Sequence, residues 1–197
     1  MGNVDATPTL ENEQILTQEE LSRIIRTSPP RIRVAEVLIA FSDLRPESIG
    51  NHEGSDGLTL GDLPELQVKE RQIVLEKIPT LVGVRANLSK IRRRYFTFLS
   101  SEGCTYLKEY LEERLRSGEK LTAKSPLIGH ERPRQETKPF QHTRKLTHYI
   151  RIHMRKAGVY KSPCVLRSYA ETQLIIAESK GKISHPFLQF IEPTSQP

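Results

Sequence analysis

A chain of 197 residues with 30 Lys/Arg against 24 Asp/Glu is long enough for one domain with a real core, or for one domain plus tails. Hydrophobic content of 36% and charged content of 27% fit a soluble protein, while 6% aromatic residues and no Trp point to a thin core. No apolar run approaches the roughly 18 residues of a membrane span, and Met1-Gly2-Asn3-Val4-Asp5 lacks the basic and apolar segments of a signal peptide. A cytoplasmic location is the expectation, with Cys104 and Cys164 as free thiols because neither has a partnering spacing.

The net charge of +6 is unevenly spread. Residues 1–84 carry 8 Lys/Arg against 14 Asp/Glu, residues 85–161 carry 19 against 7, and residues 162–197 carry 3 of each. A merely solubilising surface would not separate the signs in this way, so the middle third is a candidate polyanion-binding region. The plainer reading is a solvated face or a basic loop.

In chain order, residues 1–15 read as a flexible lead-in. Thr17 followed by Glu20 is a capping-box pattern that opens a short helix through about Arg26, and Pro29-Pro30 keeps it from continuing. Val34, Val37, Leu38 and Phe41 predict a second helix, with Pro46 just beyond its end. Residues 46–66 hold four glycines and Pro64 and read as loop. Gln72–Lys77, Thr80–Ala86 and Arg94–Leu99 read as strands, and one small three-stranded antiparallel sheet is the economical arrangement.

Cys104, Leu107, Leu111 and Leu115 trace one face of a helix that Gly118 would end. Pro126, Pro133 and Pro139 mark residues 119–141 as loop-like. A basic amphipathic helix is expected from about Thr143 to Lys156, stopping at Gly158. Another should begin with Ser162 as N-cap and Pro163 at the first position, and run to Lys180 before Gly181. A last short helix is expected from about Ser184 to Ile191, and residues 192–197 read as a tail. The fold class is α+β and mainly helical, with residues 16–191 as one domain.

The chemistry rests on two arginines. Arg45 lies in Ser42-Asp43-Leu44-Arg45-Pro46, after an apolar helix, and Arg167 in Cys164-Val165-Leu166-Arg167-Ser168, near the start of another. A phosphodiester under attack gathers negative charge on its non-bridging oxygens, and a planar guanidinium can hold two of them at once. Free backbone N–H groups at a helix start would add to such a site. A lone arginine is more often a surface salt bridge, so the pattern around each decides.

That pattern resembles the catalytic domain of tyrosine recombinases, the phage-integrase family. Ser42 to Pro46 looks like the segment placing the first catalytic arginine. Leu166-Arg167, with Thr172 five residues after the arginine, looks like the second box, and Ala86 to Lys90 followed by Tyr95-Phe96-Thr97-Phe98 resembles the hairpin carrying the family's lysine. The wording is closest to integrase-like proteins of archaea and their mobile elements, and the resemblance covers about residues 15–190. It implies an integrase-like fold, Arg45 and Arg167 on the scissile phosphate, and Lys90 as general acid for the departing 5′ oxygen, with the positive charge of Arg92, Arg93 and Arg94 beside it in sequence. With the basic helix, Arg92, Arg93, Arg94, Arg144, Lys145 and Arg151 are the candidate DNA contacts. Duplex DNA and other recombinase protomers are the implied partners.

Three departures bear on activity. Cys164 stands where the family has a histidine, His185 matches a later His/Trp position poorly, and no tyrosine follows Tyr169, which itself reads as a packing residue. Without a phenol there is no covalent phosphotyrosine intermediate. The expectation is a DNA-binding domain inactive alone, truncated or split from a larger integrase. The alternatives are strand exchange with a tyrosine supplied in trans, and a basic protein-interaction module. His142, His148 and His153 have no ligand-like spacing, and no P-loop or dinucleotide fingerprint is present, so neither metal nor cofactor is expected.

Overall fold

In a computed structural model the described residues are 15–130 and 139–184. Reciprocal bonds between Thr17 and Glu20 close the capping box of helix α1 (Gln18–Thr27), whose buried face is Leu21, Ile24 and Ile25. Helix α2 (Pro30–Ser42) starts with Pro30 in its first turn and buries residues all round its circumference, from Ile32 and Val34 to Ile39 and Ala40. A helix apolar on every side belongs at the centre of a core, and α1, α4, α5 and α6 all pack on α2.

Asp43 ends α2 in the left-handed conformation, φ 52°, with its N–H on the Leu38 carbonyl. The chain then turns through buried Leu44 into a single helical turn, α3 (Pro46–Ile49). This turn lies where the sequence reads as loop, as does a short 3-10 turn at Leu60–Asp62. Pro46 at the first helical position supplies the fixed φ that so short a helix needs.

The sheet expectation requires correction. The strands form two separate antiparallel pairs, β1 (Leu66–Lys69) with β2 (Gln72–Leu75), and β3 (Thr80–Val84) with β4 (Tyr95–Leu99). Glu70 and Arg71 close the first hairpin as a two-residue turn, which pairs β2 back onto β1. Glu65 holds β3 from the other side, accepting the Leu81 N–H and the Thr80 hydroxyl. The register Thr80 with Leu99 and Val84 with Tyr95 turns Thr80, Val82, Val84, Thr97 and Leu99 into the core.

Helix α4 (Ser101–Arg116) opens with the Ser100 hydroxyl on the Gly103 N–H and gives way to Gly118 at φ +89°. Its Arg114 is buried, paired to Glu119 at 2.6 Å and donating to the carbonyls of Pro126 and Leu127. Helix α5 (Thr143–Lys156) has the expected bounds and buries Leu146, Ile150 and Met154. Its start is docked on α3 through Gly50, where a Cβ would lie 2.0 Å from the Gln141 carbonyl oxygen.

Helix α6 (Val165–Ser179) begins later than expected, and Ser162 is not its N-cap. Val165, Leu166 and Arg167 donate to the carbonyls three residues back, Ser162, Pro163 and Cys164, so a tight turn precedes the regular helix. The expected lead-in and tail, the helix at 184–191 and His185 lie outside the described residues, apart from Ile15 and Ser184. No helix among the described residues is long and apolar enough to cross a membrane.

Candidate phosphate-binding site

The packing of α6 on α2 brings together residues 124 positions apart in sequence. Arg167, in the first turn of α6, reaches Asp43 at the end of α2. Its Nε lies 2.7 Å from Asp43 Oδ1, too bent for a hydrogen bond, and its Nη2 donates to Oδ2 at 3.0 Å. Nη2 also lies 3.1 Å from Oε1 of Glu171, one helical turn further along α6. Burial pushes the Asp43 carboxyl up and Arg167 pulls it back. Burial works against the Arg167 cation, but the Asp43 bond overrides it and holds the guanidinium above its ordinary value.

Arg45 follows Asp43 by two residues, in extended backbone as the N-cap of α3. It is half-buried, and among the described residues no hydrogen bond or ion pair holds its guanidinium. Its charge acts on Asp43 and on Tyr95. Tyr95, at the start of β4, feels both arginines; burial pushes its phenol up, while the Ser48 hydroxyl pulls it back. The two sequence-predicted arginines thus converge on one spot, around Asp43 and Tyr95.

The β3–β4 hairpin is fixed to this spot by two buried hydrogen bonds. Ser48 of α3 donates to the Leu88 carbonyl at 3.0 Å, and Thr97 of β4 donates to the Ser42 carbonyl at 2.9 Å. Between the anchored strands the loop carries Lys90, Arg92, Arg93 and Arg94, all exposed. Arg92 takes a left-handed turn, φ 54°, and its Nη1 reaches the Asn87 carbonyl. Arg144, Lys145 and Arg151 are exposed on α5, and Arg144, His148, Arg151 and Arg155 follow one another at spacings of four, three and four along that face.

Sequence reasoning missed Asp43 and Glu171 as partners of Arg167, Tyr95 as a neighbour of both arginines, and Arg155 and Lys156 as exposed cations on α5. The last two continue the amphipathic pattern already visible in Arg144 to Arg151. The first-turn N–H groups of α6 are donated to backbone carbonyls, so the expected anion nest at that helix start is filled. Cys164 is exposed just before α6, and Tyr169 packs against the core. Among the described residues no group of three or more His, Cys, Asp or Glu is placed to hold a metal ion.

A core helix ending at one arginine, a basic hairpin beside it and a later helix returning a second arginine define an integrase-like fold. Comparison with solved structures gives the same result. The chain is similar to a XerA recombinase, with TM-score 0.61 and 20% identity over 92% of this chain and 56% of that one. It is similar to an integrase from a mycobacterium phage, Brujita, with TM-score 0.52 and 18% identity over 90% and 48%. The chain spans about half the length of these proteins. No protein-family model matches the sequence, and no curated protein matches it.

Proposed function

We propose that the chain is a DNA-binding domain of the tyrosine-recombinase kind, serving site-specific DNA integration or recombination. Arg45 and Arg167 clamp one backbone phosphate, and the cations of the hairpin loop and of α5 hold the phosphates on either side. The observation that carries this reading is the convergence of Arg45 and Arg167, far apart in sequence, on Asp43 and Tyr95. Two guanidiniums beside one spot suit an anion whose charge grows during reaction. Lys90, exposed on the adjoining loop, is the proposed proton donor to a departing 5′ oxygen.

We further propose that the chain binds DNA without cutting it alone. Tyr95 feels the charge of both arginines, and burial favours its neutral phenol over the nucleophilic phenolate. Tyr169, on the same helix as Arg167, packs inward. A nicked duplex offered to the purified chain should leave no covalent adduct in a denaturing gel, yet should be retained in a native one at low salt. A covalent adduct would overturn the binding-only reading, and absence of retention would overturn the DNA-binding one. The exposed Lys90 beside an arginine clamp favours a second reading, in which a partner protomer supplies the tyrosine. Cleavage that appears on mixing with an active recombinase and disappears in Arg45→Ala would establish it.

A further inference from the structure

The guanidinium of Arg167 has two edges able to grip an oxyanion with paired donors, one formed by Nε and Nη2, the other by Nη1 and Nη2. Asp43 lies along the first, with Nε to Oδ1 at 2.7 Å and Nη2 to Oδ2 at 3.0 Å, and this carboxylate is buried beneath the site. Glu171, on α6 itself, approaches the same Nη2, its Oε1 3.1 Å away. The Glu171 side chain is 39% exposed, against 5% for Asp43. The two acids therefore differ in exposure: one is a buried support, the other a part-exposed carboxylate beside a donor that a phosphate would use.

We propose that Glu171 is an internal competitor for the phosphate, a gate that pairs with Nη2 of Arg167 until a DNA phosphate displaces it. This rests on the phosphate-clamp reading above and adds its regulation. The helix geometry supports it. A carboxylate four residues after an arginine on one helix reaches back over it, so Glu171 engages Arg167 without any change in the fold and can swing into solvent when displaced. Arg45 has no such occupant among the described residues and meets the phosphate first. Arg167 joins once Glu171 leaves. Non-specific contacts to lone phosphates are thereby weakened, and a site that also satisfies the flanking cations is favoured.

The test is a double-mutant cycle on the full chain, with a short duplex as probe in a fluorescence-anisotropy titration at low salt. The four proteins are the native chain, Glu171→Gln, Arg167→Ala and the double variant, each checked for folding by circular dichroism. Glu171→Gln keeps the side-chain shape and removes the competing charge, so it should tighten binding about twofold to fivefold, the range of an exposed ion pair. In the Arg167→Ala background the same substitution should change affinity by much less. Equal tightening in both backgrounds would reduce Glu171 to a diffuse negative charge and overturn the gate. So would unchanged affinity in Glu171→Gln when the native chain binds and Arg167→Ala weakens it. If none of the four proteins binds, the clamp reading itself falls and the gate with it.

Discussion

Glu36 sits in the middle of α2 with no solvent exposure. Its Oε1 accepts from the Ser28 hydroxyl at 2.8 Å, while Oε2 is buried without a hydrogen-bond partner. Burial pushes the carboxyl up to about 8, against the smaller pulls of Ser28 and Arg33. The unfolded chain holds this group near its ordinary 4.5, so the folded state binds the proton more tightly. Stability is then greatest below the lower value, falls as pH rises between the two, and levels off above the upper one. Linkage between those values gives a loss of about 2.5 kcal/mol between about pH 5 and pH 7 from this one group.

Glu36→Gln keeps the shape and the acceptor for Ser28 and removes the titration. In urea titrations at a series of pH values, the native chain should lose stability toward neutrality and the variant should lose less, the gap widening with pH. Parallel curves for the two proteins would refute the reasoning, because they would mean that Glu36 is ionised or solvated in the fold.

The remaining predictions concern the framework of the site. Gly50→Ala sets a Cβ against the Gln141 backbone and should cost about 1–3 kcal/mol in chemical denaturation; a neutral result would mean that the start of α5 is not docked on α3. Arg114→Ala removes the cation that serves Glu119 and two carbonyls, and should lower stability by about 3 kcal/mol, with a fall in Tm as the readout. Ser48→Ala frees the Leu88 carbonyl, at a cost of about 1 kcal/mol. Its amide hydrogen exchange should rise in residues 86–94, while α1 stays protected.

What the sequence revealed, it revealed locally. The Thr17/Glu20 box, Gly118 and Gly158 past their helix ends, and the spacing of Leu146, Ile150 and Met154 each write an element into a few neighbouring residues, and those elements stand where expected. The sheet did not follow because pairing is a tertiary choice: β2 could join either neighbour, and β1 is four residues long beside Pro64. Ser162 and Pro163 look like a helix start, yet the backbone spends them on a tight turn whose hydrogen bonds no residue type announces. At the site, Arg45 and Arg167 were legible from the boxes around them. Asp43 stands within the first box, but its bond to Arg167 spans 124 positions and needs the packing of α6 on α2. Glu171 reads as one more helix-surface acid until its pairing with Arg167 Nη2 is seen.

The most direct test of the phosphate clamp is the salt dependence of duplex binding by the native chain and by an Arg45→Ala/Arg167→Ala variant of confirmed fold. The native chain should show affinity falling steeply with salt on a double-logarithmic plot, and the variant should bind more weakly with a slope shallower by about one to two units, the phosphate contacts removed. Identical slopes and affinities in the two proteins would contradict the clamp and leave the basic loop and α5 as the whole of the DNA contact.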